Sequence, residues 1–311
     1  MSKNLETEPN KRRVFAIISH PDAGKTTLTE NMLLASGAIH QAGQVAARGE
    51  ARRTQSDWMK IEQERGISVS SSVMTFEHEK LIFNLLDTPG HEDFSEDTYR
   101  TLTAADCAVM VIDAAKGIEP QTLKLFEVCR LRDIPIITFV NKLDREARDT
   151  FDIISEIEEK LALDVVPMQW PAASGKRFKG ISNLLTGKFL KFEKPESSTK
   201  HNWIQMNNIE MNQHFDDDSL LEQFTEEHEL AKEYPKFNLQ SFHEGHMTPV
   251  YFGSALRKFG ILELINALAE LAPRPQPENC KKSGQPTKMY PNSKEAAGFI
   301  FKVQANMDLN H

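Results

Sequence analysis

The stretch that most constrains this chain runs from Val14 to Leu34. Five apolar residues, Val14 to Ile18, precede Ser19-His-Pro-Asp-Ala-Gly24-Lys25-Thr26, and a run of helix-forming residues follows. An unbroken apolar run of that length reads as a strand buried on both faces, and Lys25 to Leu34 reads as a helix. Strand, tight loop and helix in this order match the phosphate loop Gly-x-x-x-x-Gly-Lys-Ser/Thr, with Ser19 in place of the first glycine. The chemistry accounts for the residue types. Gly24 lets backbone N–H groups approach phosphate oxygens, Lys25 brings a cation to the β- and γ-phosphates, and the Thr26 hydroxyl can ligate Mg²⁺, all at a helix N-terminus that favours anions. A small side chain at position 19 still turns there if φ need not be positive.

The remaining pattern alternates. Apolar or β-rich runs at Val69 to Phe76, Leu81 to Leu86, Ala108 to Ile112, Ile134 to Val140 and Pro249 to Gly253 read as strands. Helical stretches fall near Ser95 to Ala104, Gln121 to Arg132, Asp152 to Leu161, and around Ile261, Leu264, Leu268 and Leu271. Such alternation predicts an α/β fold of the three-layer P-loop NTPase kind, a mostly parallel sheet with helices on both faces. Residues 13–273 are expected to form this domain after a polar tail at 1–12, with an inserted subdomain at about 165–247 where the pattern loosens. The Pro-, Lys- and Asn-rich segment 274–295 reads as a semi-extended linker. Within residues 296–311, Gly298 to Gln304 reads as one strand that cannot pair by itself.

Composition narrows the partners. A net charge of −8 excludes a globally basic, RNA-coating protein, so any nucleic-acid contact must be local, and no DNA partner is expected. No apolar run approaches the roughly 18 residues that span a bilayer. The polar N-terminus has no apolar segment of a secretory signal, which predicts a cytoplasmic protein without a membrane partner. Cys107 and Cys129 stand in apolar contexts and read as core, and three cysteines give no disulfide framework.

Four further motifs carry chemistry, and three of them lie at predicted strand ends on the same sheet edge as the first loop. Asp87-Thr88-Pro89-Gly90-His91 is an ordinary turn by composition, but Asp87 can hold Mg²⁺ through water, and a Gly90 peptide free to flip can sense a γ-phosphate. In Asn141-Lys142-Leu143-Asp144, the carboxylate of Asp144 can accept from the N1–H and 2-amino group of guanine, which adenine lacks, while Asn141 can reach the other edge of the purine. Leaving such acceptors unpaired rejects the wrong base. Gly253-Ser254-Ala255-Leu256 can supply a backbone N–H to the guanine O6. Between the first helix and the second strand, Arg65-Gly66-Ile67-Ser68 ends a polar stretch suited to a closing loop, where Ser68 would be a second hydroxyl ligand of Mg²⁺. His91 directly follows the γ-phosphate-sensing glycine, so reach favours it as the residue that positions the attacking water.

Taken in order, these motifs resemble the translational GTPases. His91-Glu-Asp-Phe-Ser-Glu-Asp-Thr-Tyr-Arg100, Ile112-Asp-Ala-Ala-Lys-Gly117 and Phe299-Ile-Phe-Lys-Val-Gln-Ala-Asn-Met307 look more narrowly like the bacterial branch that acts at translation termination. The resemblance implies a phosphate site made of Ser19, His20, Pro21, Asp22, Ala23, Gly24, Lys25, Thr26, Thr27, Asp87, Thr88, Pro89 and Gly90. It implies guanine reading by Asn141, Lys142, Asp144, Ser254, Ala255 and Leu256. Mg²⁺ would bind with GTP or GDP at Thr26, Ser68 and, through water, Asp87, with His91 catalytic. It also implies the ribosome and class I release factors as partners, in a GTPase that displaces and recycles those factors. An elongation-factor-G-like ribosomal GTPase, or a guanine-nucleotide-binding fragment without ribosome-stimulated turnover, are the alternatives.

Overall fold

The computed structural model describes residues 8–39, 72–88, 95–192, 203–206, 208–282, 284–295, 298 and 300. Its first half runs β1 (Arg12–Ser19), α1 (Lys25–Ala35), β2 (Ser72–His78), β3 (Leu81–Asp87), α2 (Ser95–Leu102), β4 (Cys107–Asp113), α3 (Pro120–Arg130), β5 (Ile136–Asn141) and α4 (Thr150–Leu161). The second half runs β6 (Asp164–Pro167), β7 (Gln169–Ala172), β8 (Gly180–Asn183), β9 (Lys188–Lys191), β10 (Trp203–Gln205), α5 (Asn208–His214), α6 (Asp218–Ala231), α7 (Leu239–His243), β11 (Met247–Phe252), α8 (Ile261–Leu271), β12 (Glu278–Lys282) and β13 (Gln285–Met289).

Seven strands form the central sheet in the order β2-β3-β1-β4-β5-β11-β6, parallel throughout except for β2, which pairs antiparallel with β3. The two-residue period of a strand sorts its side chains between two cores. In β4, Ala108, Met110 and Ile112 face one side, with Leu125 and Phe126 of α3 and Ile153 and Ile157 of α4. Cys107, Val109 and Val111 face the other, with Leu28 and Met32 of α1 and Leu264 and Leu268 of α8. Both sheet faces are therefore covered, which is why these strands read as unbroken apolar runs. Cys107 and Cys129 are buried, as expected.

The inserted part is a four-stranded antiparallel sheet, β10-β9-β8-β7, with Phe215 and Phe224 stacked on each other next to Phe189 of β9. Trp170 of β7 is fully buried; its ring lies 4.6 Å from that of Phe151 and 6.3 Å from that of Phe252, so an aromatic wedge fixes this sheet to the central one. The expected start of the insert near residue 165 falls inside β6, which pairs with β11 in the central sheet from Asp164 to Pro167. Four residues are too few for periodicity to reveal a strand.

The expected linker at 274–295 contains a hairpin instead. Glu278 to Lys282 pairs antiparallel with Gln285 to Met289, and lysine and proline placed on exposed strands had disguised it. Of the strand expected from Gly298 to Gln304, only Gly298 and Ile300 are described. Among the described residues, no helix is long and apolar enough to cross a membrane.

Candidate nucleotide site

Parallel strands bring their carboxyl ends to one edge, where four of them deliver the predicted motifs and a fifth, β4, adds an aspartate. β1 ends at Ser19, β3 at Asp87, β4 at Asp113, β5 at Asn141 and β11 at Phe252, just before Gly253 and Ser254. A cleft of about 370 Å³ opens between them, lined by the loop from Ser19 to Thr27 and by Asn141, Lys142, Asp144, Ala255 and Leu256. A larger hollow of about 570 Å³ sits at the opposite edge, against Ile136, Asp164 and Met247, and none of the predicted motif residues lines it.

The loop is held from beneath. The His20 N–H donates to Thr122 Oγ1 at 3.0 Å, which ties the loop entry to α3, and the Ala23 N–H donates to His20 O at 3.3 Å. Gly24 has φ +103°, in the left-handed region, and a Cβ there would lie 2.3 Å from Asn141 Nδ2. The motif glycine is thus required twice, by conformation and by space. Lys25 Nζ lies 2.5 Å from Asp87 Oδ1, both side chains buried, so the phosphate loop and the end of β3 are joined by a compact ion pair. Thr88 Oγ1 donates to Ile17 O at 2.7 Å and anchors the turn that follows. Thr26 is exposed at the cleft, where its hydroxyl is accessible.

On the other side, Asn141 is buried and works as a brace. Its Nδ2 donates to Ala23 O at 2.9 Å and its Oδ1 accepts from Ala255 N–H at 2.8 Å. This bracing role stands beside the expectations that Asn141 reaches the purine and that the Gly253–Leu256 segment offers an N–H to guanine O6. Buried backbone groups need partners, and the amide serves one acceptor and one donor together. The Ser254 hydroxyl donates to Asp144 Oδ1, Arg257 Nε stands 4.0 Å from Oδ2, and Asp144 lines the cleft. Leu256 is half exposed beside it.

Lys142 has φ +72°, and its ammonium lies 2.5 Å from Asp22 O and 2.7 Å from Asp113 Oδ2. Burial alone would raise the Asp113 carboxyl, but hydrogen bonds from Lys142 and from the Ala115 N–H outweigh it and hold the group below its ordinary value. The motif reading missed Asp113 and Thr122 as site residues. The available signal was an aspartate closing an otherwise wholly apolar buried strand. Ser68, Pro89, Gly90 and His91 lie outside the described residues.

The residues present suit a nucleotide with Mg²⁺. A glycine cradle, a lysine at its lip, a hydroxyl and a buried carboxylate are the donors and acceptors that phosphates and a hard cation require. Comparison with known proteins bears on the class. The elongation factor Tu GTP binding domain matches residues 10–274, and the chain belongs to that family of GTPases.

Within it, the chain is 52% identical over 311 residues to peptide chain release factor 3 of Aromatoleum aromaticum, covering 99% of this chain and 56% of that protein. It is 50% identical over 312 residues to peptide chain release factor 3 of Staphylococcus haemolyticus, covering 99% of this chain and 58% of that one. The chain therefore spans a little over half the length of these relatives. A crystal structure of a protein from Thermus thermophilus shares the fold, with TM-score 0.66 and 24% identity over 84% of this chain and 40% of that one.

Proposed function

We propose that the chain is the GTP-binding and GTP-hydrolysing unit of a translation factor that acts on the ribosome at termination, promoting release and recycling of class I release factors. The observation that carries the reading is the convergence on one cleft of the Gly24-Lys25 loop, Asp87 and the Asp144–Ser254 wall. On this reading the backbone from Asp22 to Thr27 and the Lys25 ammonium take the phosphates. Asp144 reads the guanine edge, with Ser254 orienting its carboxylate and Leu256 covering the base.

Thr26 and Ser68 would hold Mg²⁺ directly and Asp87 through water. When bound, the metal neutralises charge on the β- and γ-phosphates. Pro89 and Gly90 would meet the γ-phosphate, and His91 would position the water. The names of the relatives support termination as the setting, and the cytoplasm is where the ribosomal partner would be met.

GTP hydrolysis by this chain, measured with and without 70S ribosomes, tests the proposal. Ribosomes should accelerate turnover, and His91→Ala should remove the acceleration while leaving GTP affinity nearly intact. Because the chain spans 56% and 58% of these relatives, a second reading competes: a guanine-nucleotide-binding module without ribosome-stimulated turnover. Tight GTP binding with no response to ribosomes would favour it and sink the first.

A further inference from the structure

We propose that Asp113 is a positioning residue for guanine nucleotide: its carboxylate holds the Lys142 ammonium against the phosphate loop and so sets the spacing between the phosphate-binding and base-binding sides of the cleft. The inference rests on the guanine-nucleotide reading above and adds a residue that none of the site motifs contains.

The last residue of β4 is an aspartate at 5% exposure after six apolar residues. A buried carboxylate must find partners, and this one has two. Oδ1 accepts the Ala115 N–H at 2.9 Å, and Oδ2 lies 2.7 Å from Lys142 Nζ. The main chain of Asp113 is itself fixed: its carbonyl accepts the N–H groups of Lys116 at 3.0 Å and Gly117 at 2.8 Å. The carboxylate therefore projects from a rigid strand end.

Lys142 is the opposite case, a flexible side chain on a backbone at φ +72°, a region that side-chain-bearing residues hold only when their surroundings impose it. Its ammonium makes a second contact, 2.5 Å to the carbonyl of Asp22, which is also in the left-handed region at φ +64°. Asp113, Lys142 and Asp22 thus form a strap from β4 across the cleft to the phosphate loop. A point-charge ammonium on a four-carbon stem does not choose one position by itself. Asp113 makes the choice, and displacement of a binding loop by about 1 Å is enough to weaken a site strongly.

Asp113→Asn separates this role from a simple cap on Ala115. The amide keeps an acceptor for the Ala115 N–H but loses the charge and turns an NH₂ toward the Lys142 ammonium. Release of N-methylanthraniloyl-GDP from the chain is measured by stopped flow for the parent, Asp113→Asn, Lys142→Met and the double variant. Asp113→Asn should release nucleotide about tenfold faster, a difference of ~1.4 kcal/mol. In the Lys142→Met background the same change should matter by less than about twofold, because the partner is already gone.

Equal acceleration in both backgrounds, or none in either, overturns the proposal. Asp113→Glu restores the charge and should release within about threefold of the parent; release as fast as Asp113→Asn would count against it even if the asparagine variant folds poorly. A parent chain that fails to bind the GDP probe overturns the guanine reading along with this one. A binding parent with unchanged variants overturns this one alone.

Discussion

Replacing Asn141 with alanine should destabilise the domain by roughly 2–4 kcal/mol, a large effect for the loss of one polar side chain. The side chain is 1% exposed and makes two bonds, to Ala23 O at 2.9 Å and from Ala255 N–H at 2.8 Å. Both partner residues are themselves only 1% exposed, so neither group regains water cheaply. A neutral hydrogen bond is worth about 1 kcal/mol net, while a buried group left without a partner costs about 1–3 kcal/mol, and here two groups are stranded together. With a urea m-value of about 3 kcal/mol per molar, the unfolding midpoint of the nucleotide-free chain should fall by about 1 M. Asn141→Asp is the informative comparison. It keeps the acceptor for Ala255 but sets a carboxylate oxygen against the Ala23 carbonyl, so its loss should be at least as large. A midpoint within about 0.2 M of the parent for Asn141→Ala would refute the bracing role.

Gly24→Ala should leave the circular dichroism unchanged yet weaken GDP binding at least tenfold, because the new Cβ meets Asn141 Nδ2 at 2.3 Å on a backbone at φ +103°. Fluorescence titration with a GDP analogue checks this, and affinity within about threefold of the parent would count against the geometry. A second prediction concerns His228, buried with Nδ1 2.8 Å from Ser182 Oγ and pushed by burial down to about 4 from its ordinary value near 6.5. The unfolded chain then binds the proton first. Stability is fully present above about pH 6.5 and falls by up to ~1.4 kcal/mol per pH unit as the pH drops toward 4. Urea midpoints measured between pH 7.5 and 5 should show this extra slope, and His228→Gln should lack it; parallel curves would contradict the assignment.

Much of this architecture was legible because burial leaves a mark on sequence. β1, β4 and β5 are covered on both faces, so their central residues are almost all apolar, and their ends fall within two residues of the expected positions. The phosphate and base motifs were legible for a related reason. Each must follow a strand at the sheet's carboxyl edge, and each contains a residue whose chemistry is hard to replace.

What escaped is the part fixed by pairing across long sequence separations. β6 is too short to show a period, and only its alignment beside β11 makes it a strand of the central sheet. The β12–β13 hairpin is lysine- and proline-bearing and largely exposed, so composition pointed to a linker. The bracing role of Asn141 did not show in the sequence because the two groups it serves lie 118 and 114 residues away, and nothing local signals them.

The two lysines of the cleft separate the site into a part that can exchange and a part that cannot. Lys25 and Lys142 each meet a carboxylate from the end of a neighbouring strand, Asp87 of β3 at 2.5 Å and Asp113 of β4 at 2.7 Å. The Lys25 ammonium is buried and that of Lys142 partly so, and in each case the carboxylate partner offsets the desolvation. Their surroundings differ. Lys25 lies at the glycine cradle, where on the reading proposed above a phosphate oxygen would compete with Asp87 for the ammonium. Lys142 has its second contact on the Asp22 carbonyl, a backbone group that no incoming phosphate replaces. On that reading the first pair would be traded when nucleotide binds and restored when it leaves. The second would keep the phosphate loop and the base loop at one spacing through both states, so that what changes at the cleft would be charge at the end of β3 rather than the frame proposed to read the base.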